Sequence, residues 1–275
     1  MLRENILNVK KGEKMRYLDC LVKLKDLVTD EGDTVEVFEL LSSMPSDVLE
    51  EWAVHFRQNY CSDGLLDLLV SGTGLSKQEY LLRHKFPDAT DGFGPGTRSG
   101  DFAELLISDY LEFSLGYSVH RERYKNKFNR NSSTQGTDVI AFRMTGSKPT
   151  VADELITFEV KAQASGNTAK RRLQDAIDDS YKDPIRKAET LSALKQIYLE
   201  KGNTEKAAQV ERFQNKPDRP YVEKYGAAAV HDSTTYSEEI IKDVKQKSEK
   251  RWLIVIKRDN LMRLVHKLYE VASEC

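Results

Sequence analysis

Apolar residues recur every three or four positions through Leu49, Trp52, Phe56 and Tyr60, behind a Pro45-Ser46 start, which predicts an amphipathic helix. Residues 65–70 and 78–84 predict two more, so the first ninety residues read mainly as helix. Residues 86–96, FPDATDGFGPG, are rich in Gly and Pro and read as a loop. The boundary between an N-terminal helical region (1–90) and a core (91–275) is placed there. Periodicity returns at 101–115, with Phe102, Leu105, Leu106 and Phe113 on adjoining turns, Asp109 interrupting the stripe and Gly116 ending it. Three short strand-like runs follow at 117–123, 138–143 and 155–162, with Gly146-Ser147-Lys148-Pro149 as a turn between the last two. A helical stretch from about residue 168 breaks at Pro184 and near Gly202-Asn203. Strands are expected at 225–231 and 252–257, with helices between and after them. The order α-β-β-β-α-β-α-β-α predicts a mixed α/β sheet covered by helices. Residues 191–200 and 204–213 read as one helical hairpin, inserted at about 185–214; a single hairpin is not a solenoid.

Composition narrows the class. The 275 residues are 39% hydrophobic and 31% charged, which fits a folded globular chain rather than a disordered one. No run approaches the roughly 18–20 apolar residues of a membrane span, and the opening MLRENILNVKKGEKM lacks a signal-peptide core, so a cytoplasmic location without membrane contact is expected. Cys20, Cys61 and Cys275 form no CxxC pair and suit a reducing compartment. The net charge of −2 argues against tight nucleic-acid binding over the whole surface but leaves room for a local basic groove.

The chemistry concentrates in two segments. Read as a strand, residues 155–163 place Ile156, Phe158, Val160 and Ala162 on one face and Thr157, Glu159, Lys161 and Gln163 on the other. Asp138, in Gly136-Thr137-Asp138, begins the strand expected to form a hairpin with it, which brings Asp138 beside Glu159. Two carboxylates that close repel unless a cation lies between them, and Mg²⁺ prefers carboxylate oxygens while keeping several waters. Such a metal polarises a phosphodiester and acidifies a bound water. Lys161, about 7 Å along the same face, is placed to orient that water or neutralise charge on the phosphate. Glu-x-Lys alone on a strand is more often a cross-strand ion pair or a solvated face. The specificity comes from both segments occurring in order across a hairpin.

Gly136-Thr137-Asp138 followed by Glu159-Val160-Lys161 resembles the signature of the PD-(D/E)XK nuclease superfamily. The resemblance implies a restriction-endonuclease-like core (α-β-β-β-α-β), metal binding by the two acids, and water activation or charge stabilisation by the lysine. Thr137 departs from it, standing where the named pattern has proline. Members often carry a glutamate on the helix before the meander. Glu104 sits in that place, either as a further metal ligand or as half of a capping box with Asp101. Some members add a glutamine and a tyrosine after the lysine; Gln174 and Tyr181 lie seven residues apart rather than four, so Tyr181 is expected to serve helix packing. Ser99 to Glu104, Asp109 to Glu112, Gly136 to Ile140 and Phe158 to Lys161 also resemble HamA-type nuclease subunits of the Hachiman anti-phage system, over roughly residues 99–265. That likeness implies a bacterial defence protein working on DNA beside a helicase, with Mg²⁺ or Mn²⁺.

Between the first strand and Asp138 lies a basic run with Arg121, Arg123, Lys125, Lys127 and Arg130, interleaved with Tyr124 and Phe128. It reads either as a phosphate and base contact or as a solvated loop. Lys170, Arg171 and Arg172 open the next helix, where cations sit poorly with the helix dipole unless an anion is bound; Arg171 is the candidate contact. Ser71 to Lys77 lacks P-loop spacing, and Gly92 to Gly96 follows no strand, so neither a nucleotide cradle nor a dinucleotide fingerprint is expected. The leading expectation is a Mg²⁺-dependent deoxyribonuclease. Its rivals are a catalytically silent nuclease-fold module binding nucleic acid or a partner, and a helical adaptor acting through residues 1–90 and 185–214.

Overall fold

The computed structural model describes residues 15–133 and 136–275, so the first fourteen residues, most of the segment read as lacking a leader core, lie outside the described part. The strands are β1 (Leu21–Lys23), β2 (Leu27–Val28), β3 (Thr34–Leu40), β4 (Ser118–Val119), β5 (Val139–Arg143), β6 (Glu154–Gln163), β7 (Val222–Asp232) and β8 (Trp252–Arg258). The helices are α1 (Ser46–Tyr60), α2 (Asp63–Val70), α3 (Lys77–Tyr80), α4 (Gly94–Asp109), α5 (Glu122–Lys125), α6 (Arg172–Ser180), α7 (Asp183–Glu200), α8 (Thr204–Glu211), α9 (Glu238–Lys242) and α10 (Leu261–Glu274). They build a mixed α/β fold on one sheet of order β1-β3-β8-β7-β6-β5-β4, with β2 paired to β3. Strands β3, β8, β7 and β6 run parallel; β5 and β4 complete an antiparallel meander with β6.

Alternation along the strands divides the interior. Ile156, Phe158 and Val160 of β6 point with Ala228, Val230, Ile254 and Ile256 toward α1, α4 and α10. The intervening Ala227, Ala229, Leu253 and Val255 pack on α6. Ile140, Phe142 and Leu155 meet the α7–α8 hairpin through Leu191, Leu194 and Val210. β7 is built of small residues for a reason visible at Gly226, which pairs with Phe158: a Cβ there would stand 2.3 Å from the Phe158 ring.

Three expectations need correction. The N-terminal region is not mainly helical before residue 45. The run Thr34-Val35-Glu36-Val37-Phe38-Glu39-Leu40 alternates polar and β-branched or apolar side chains, buries Val35, Val37 and Leu40, and pairs in parallel with β8. The main sheet therefore runs across the placed boundary. The strand expected at 117–123 stops at Val119 and passes into the short α5, because the polar side chains that follow turn inward to buried acids. The helix expected from Asp101 starts seven residues earlier, with Pro95 in its first turn, and absorbs the end of the Gly-Pro loop. From there on, helix, three-strand meander, helix and strand follow in the order read from the sequence. Among the described residues no helix is long and apolar enough to cross a membrane.

Candidate functional site

Val139 pairs with Phe158 in the β5–β6 ladder, and continuing that register by one position sets Asp138 opposite Glu159. Both side chains share the face of Thr157 and Lys161, as the alternation predicted. Gly136 makes the approach possible. Its φ of +105° lies in the region that favours glycine, and a Cβ there would stand 2.8 Å from Thr190 Oγ1. That hydroxyl in turn accepts the Thr137 N–H at 3.1 Å, fixing the start of β5 to α7. Asp138 Oδ2 accepts the Val160 N–H at 3.0 Å, and Asp138 Oδ1 accepts from Arg123 at 3.2 Å. Glu159, 3% exposed, accepts from Lys161 Nζ at 2.8 Å and from Arg186 at 3.0 Å. Lys161 Nζ also lies 2.8 Å from Asp179.

These groups line a cleft of about 740 Å³ between the start of α4 and the α6–α7 face. Glu104 lines it too. Its carboxylate accepts the Tyr124 hydroxyl at 2.8 Å and lies 3.3 Å from Arg123, which thereby bridges Glu104 and Asp138. Because Asp101 and Glu104 lie inside α4, the capping-box reading of Glu104 is excluded.

The electrostatics follow from burial. Burial pushes the Glu159 carboxyl up to about 7, the charge of Asp138 adds to it, and Lys161 partly offsets both. Burial pushes Glu104 to about 8 against the pull of Arg123, with Asp138 and Asp101 adding to the rise. Burial works to lower the Lys161 ammonium, but Asp179 and Glu159 outweigh it and the group stands above its ordinary value. All the donors are carboxylate oxygens, the hard set that Mg²⁺ prefers. Among the described residues no three acidic, imidazole or thiol side chains stand close enough together to hold an ion as they are placed. Mg²⁺ fits nonetheless, since it is bound by as few as one or two carboxylates and completes its shell with water.

The basic run is placed otherwise than a row of phosphate contacts. Arg121, mostly buried, pairs with Asp109 at 2.7 Å and with Glu112. This is also why Asp109 tolerates its place in the apolar stripe, where His55 and Tyr17 complete its hydrogen bonds. Arg123 joins the two cleft acids. Lys127 is 2.7 Å from the buried Asp101, and Arg130 binds Asp88 at 2.7 Å and the carbonyls of Leu82 and Phe86. Lys125 faces Glu122 at 4.0 Å. Arg171 pairs with Asp243 at the surface, while its neighbours Lys170 and Arg172 line the cleft. Gln174 and Tyr181 hold the backbone of Lys245 and Lys247 rather than the cleft.

Sequence reading missed Asp179, Asp183 and Arg186. Asp183 is fully buried at the start of α7, accepts the Thr157 hydroxyl at 3.0 Å, and is pushed to about 6 by burial and by Asp138. The one local signal for these residues is Asp183-Pro184, whose proline predicts only a helix break.

Comparison with protein families decides the lineage: the family model HamA matches residues 15–272. The chain belongs to the HamA family. The likeness to HamA-type proteins read from residues 99–265 is thus borne out, and the match extends it to β1–β3 and α1–α3. A comparison with curated proteins finds no match. The family supports a place in Hachiman antiviral defence.

Proposed function

We propose that this HamA-family protein is a Mg²⁺-dependent nuclease of restriction-endonuclease-like core, which hydrolyses DNA phosphodiester bonds in antiviral defence beside a helicase subunit. One observation carries the reading: Asp138 and Glu159 face each other across adjacent strands, with the Lys161 ammonium 2.8 Å from Glu159, at an open cleft. Asp138 and Glu159 would hold the metal, with Glu104 as a further oxygen donor. A bound divalent cation supplies Lewis acidity at the phosphate and acidifies its water. Lys161, held between Glu159 and Asp179, is the group placed to turn its charge toward a developing phosphorane oxygen, where a preorganised donor is worth about 10² or more in rate. Arg186 on α7 neutralises Glu159 in parallel, so the acid keeps a partner when Lys161 turns to substrate. Lys170 and Arg172, on the opposite wall, offer charge to the backbone of a bound strand.

A second reading has its own support. Arg123, Lys161 and Arg186 pair the three proposed metal-holding carboxylates, Glu104, Asp138 and Glu159, with internal cations, as suits a silent module. Plasmid cleavage in Mg²⁺ and in EDTA separates the two. The nuclease reading expects cleavage that EDTA abolishes, and electron density between Asp138 and Glu159 after a Mn²⁺ soak. The silent-module reading expects intact plasmid and no density.

A further inference from the structure

The Gly92-Phe93-Gly94-Pro95-Gly96 loop, which fits no nucleotide fingerprint, displays an aromatic ring. Gly92 has φ +58°, and a Cβ on Gly94 would lie 2.5 Å from the Asp88 carbonyl oxygen, so glycine is required on both sides of Phe93. Phe93 is 85% exposed at the N-terminal end of α4. The ring lines a groove of about 490 Å³ with Thr97, Asn129, Asn131 and Ser132. The groove shares Gly96, Gly100 and Glu104 with the cleft, so the two are continuous. A Cβ on Gly96 or Gly100 would meet nothing within 4 Å, so this wall leaves room against the backbone.

The groove is also preformed. The Asn131 carbonyl accepts the Thr97 hydroxyl at 2.8 Å, and its side-chain oxygen accepts the Asp88 N–H at 2.7 Å. Arg130 ties the same loop to Leu82, Phe86 and Asp88. The two acids that line it already have partners, Asp101 in Lys127 and Glu104 in Arg123 and the Tyr124 hydroxyl. Phe128, fully exposed one residue before Asn129, adds a second ring at the rim.

A groove whose walls are hydrogen-bonded to each other, with an exposed ring at its mouth, suits unpaired bases, since every base has a face that stacks and the contact needs no sequence. The bases of a duplex are stacked on one another and cannot meet Phe93. Resting on the nuclease reading for the adjoining cleft, we propose that this groove takes the unstacked bases of single-stranded DNA beside the scissile phosphate, with Phe93 as the stacking platform.

The test is fluorescence anisotropy of the full chain in EDTA at low salt, where DNA binding is strongest, with a labelled oligo(dT) of about 12 nucleotides and a blunt duplex of the same length. Wild type, Phe93→Ala and Phe93→Trp are compared, with thermal melts to show that each folds. The expected result is preference for the single strand, an affinity loss of about tenfold in Phe93→Ala confined to that strand, and retention in Phe93→Trp with quenched indole emission. Equal binding of both DNAs by wild type, unchanged single-strand affinity in Phe93→Ala, or unquenched emission in Phe93→Trp would overturn it. Binding in EDTA needs no metal, so failure of Mg²⁺-dependent cleavage with this pattern intact would sink the nuclease reading alone. Cleavage indifferent to Phe93 would sink the stacking platform alone.

Discussion

A carboxyl group buried beside another acid keeps its proton past the pH at which it would lose it in water, and Glu104, Glu159 and Asp183 are all in that position. For Glu104 the window runs from its ordinary 4.5 to about 8. Within it the folded chain binds a proton that the unfolded chain has released. Its contribution to stability is therefore full below the ordinary value and is lost as pH rises through the folded one. Wild type should melt at lower temperature at pH 8.5 than at pH 5.5 in EDTA, and Glu104→Gln should flatten that fall. Mg²⁺, binding the ionised folded form, should restore the melting temperature most at high pH. Identical pH slopes in the two proteins would show that Glu104 does not hold this proton. At this scale Asp138, Glu159 and Lys161 were legible, because a strand repeats every two residues and the hairpin partner lies nearby. Asp183 and Arg186 were not. They reach β6 from α7, the second helix after it, 26 residues beyond Thr157 and 27 beyond Glu159, and no local period reports that distance.

Elements differ in how much of themselves they show. Helix α1 is legible because its apolar stripe buries Trp52, Phe56 and Tyr60 as spaced. Strand β3 was missed although its alternation is plain, since its partner β8 lies more than two hundred residues away and helical segments dominate its neighbourhood. The basic run was legible as charge but not as direction: its cations answer buried acids on α4 and in the turns beside it. Arg121→Ala should accordingly cost about 3–5 kcal/mol, as for removal of one partner of a buried ion pair, read by urea denaturation. A loss below about 0.5 kcal/mol would return Arg121 to the surface. Salt dependence of DNA binding should follow Lys170 and Arg172 more than Arg121 or Lys127, since the latter two are committed inside. Gly226→Ala should destabilise by about 1–3 kcal/mol, because its methyl would enter the Phe158 ring. An unchanged denaturation midpoint would show that Phe158 moves freely out of the way.

The whole molecule carries a net charge of −2, so long-range attraction to DNA is weak and contact depends on the cleft and its rim. Within the cleft Glu104, Asp138, Glu159 and Asp179 each have an internal cation, so a metal bound there would have to displace those pairs. A chain of this kind should bind and cut DNA poorly by itself at physiological salt and be raised strongly by a partner that delivers the strand. The helicase subunit proposed above would fill that role. Single-turnover cleavage of labelled DNA in Mg²⁺, with and without the helicase subunit, by wild type, Asp138→Ala and Lys161→Ala tests the nuclease reading at its metal and its lysine together. Wild type should cleave in a way that EDTA abolishes and the partner accelerates, Asp138→Ala should not cleave, and Lys161→Ala should lose about 10² or more in rate with folding intact. Cleavage by Asp138→Ala at the wild-type rate would contradict that reading.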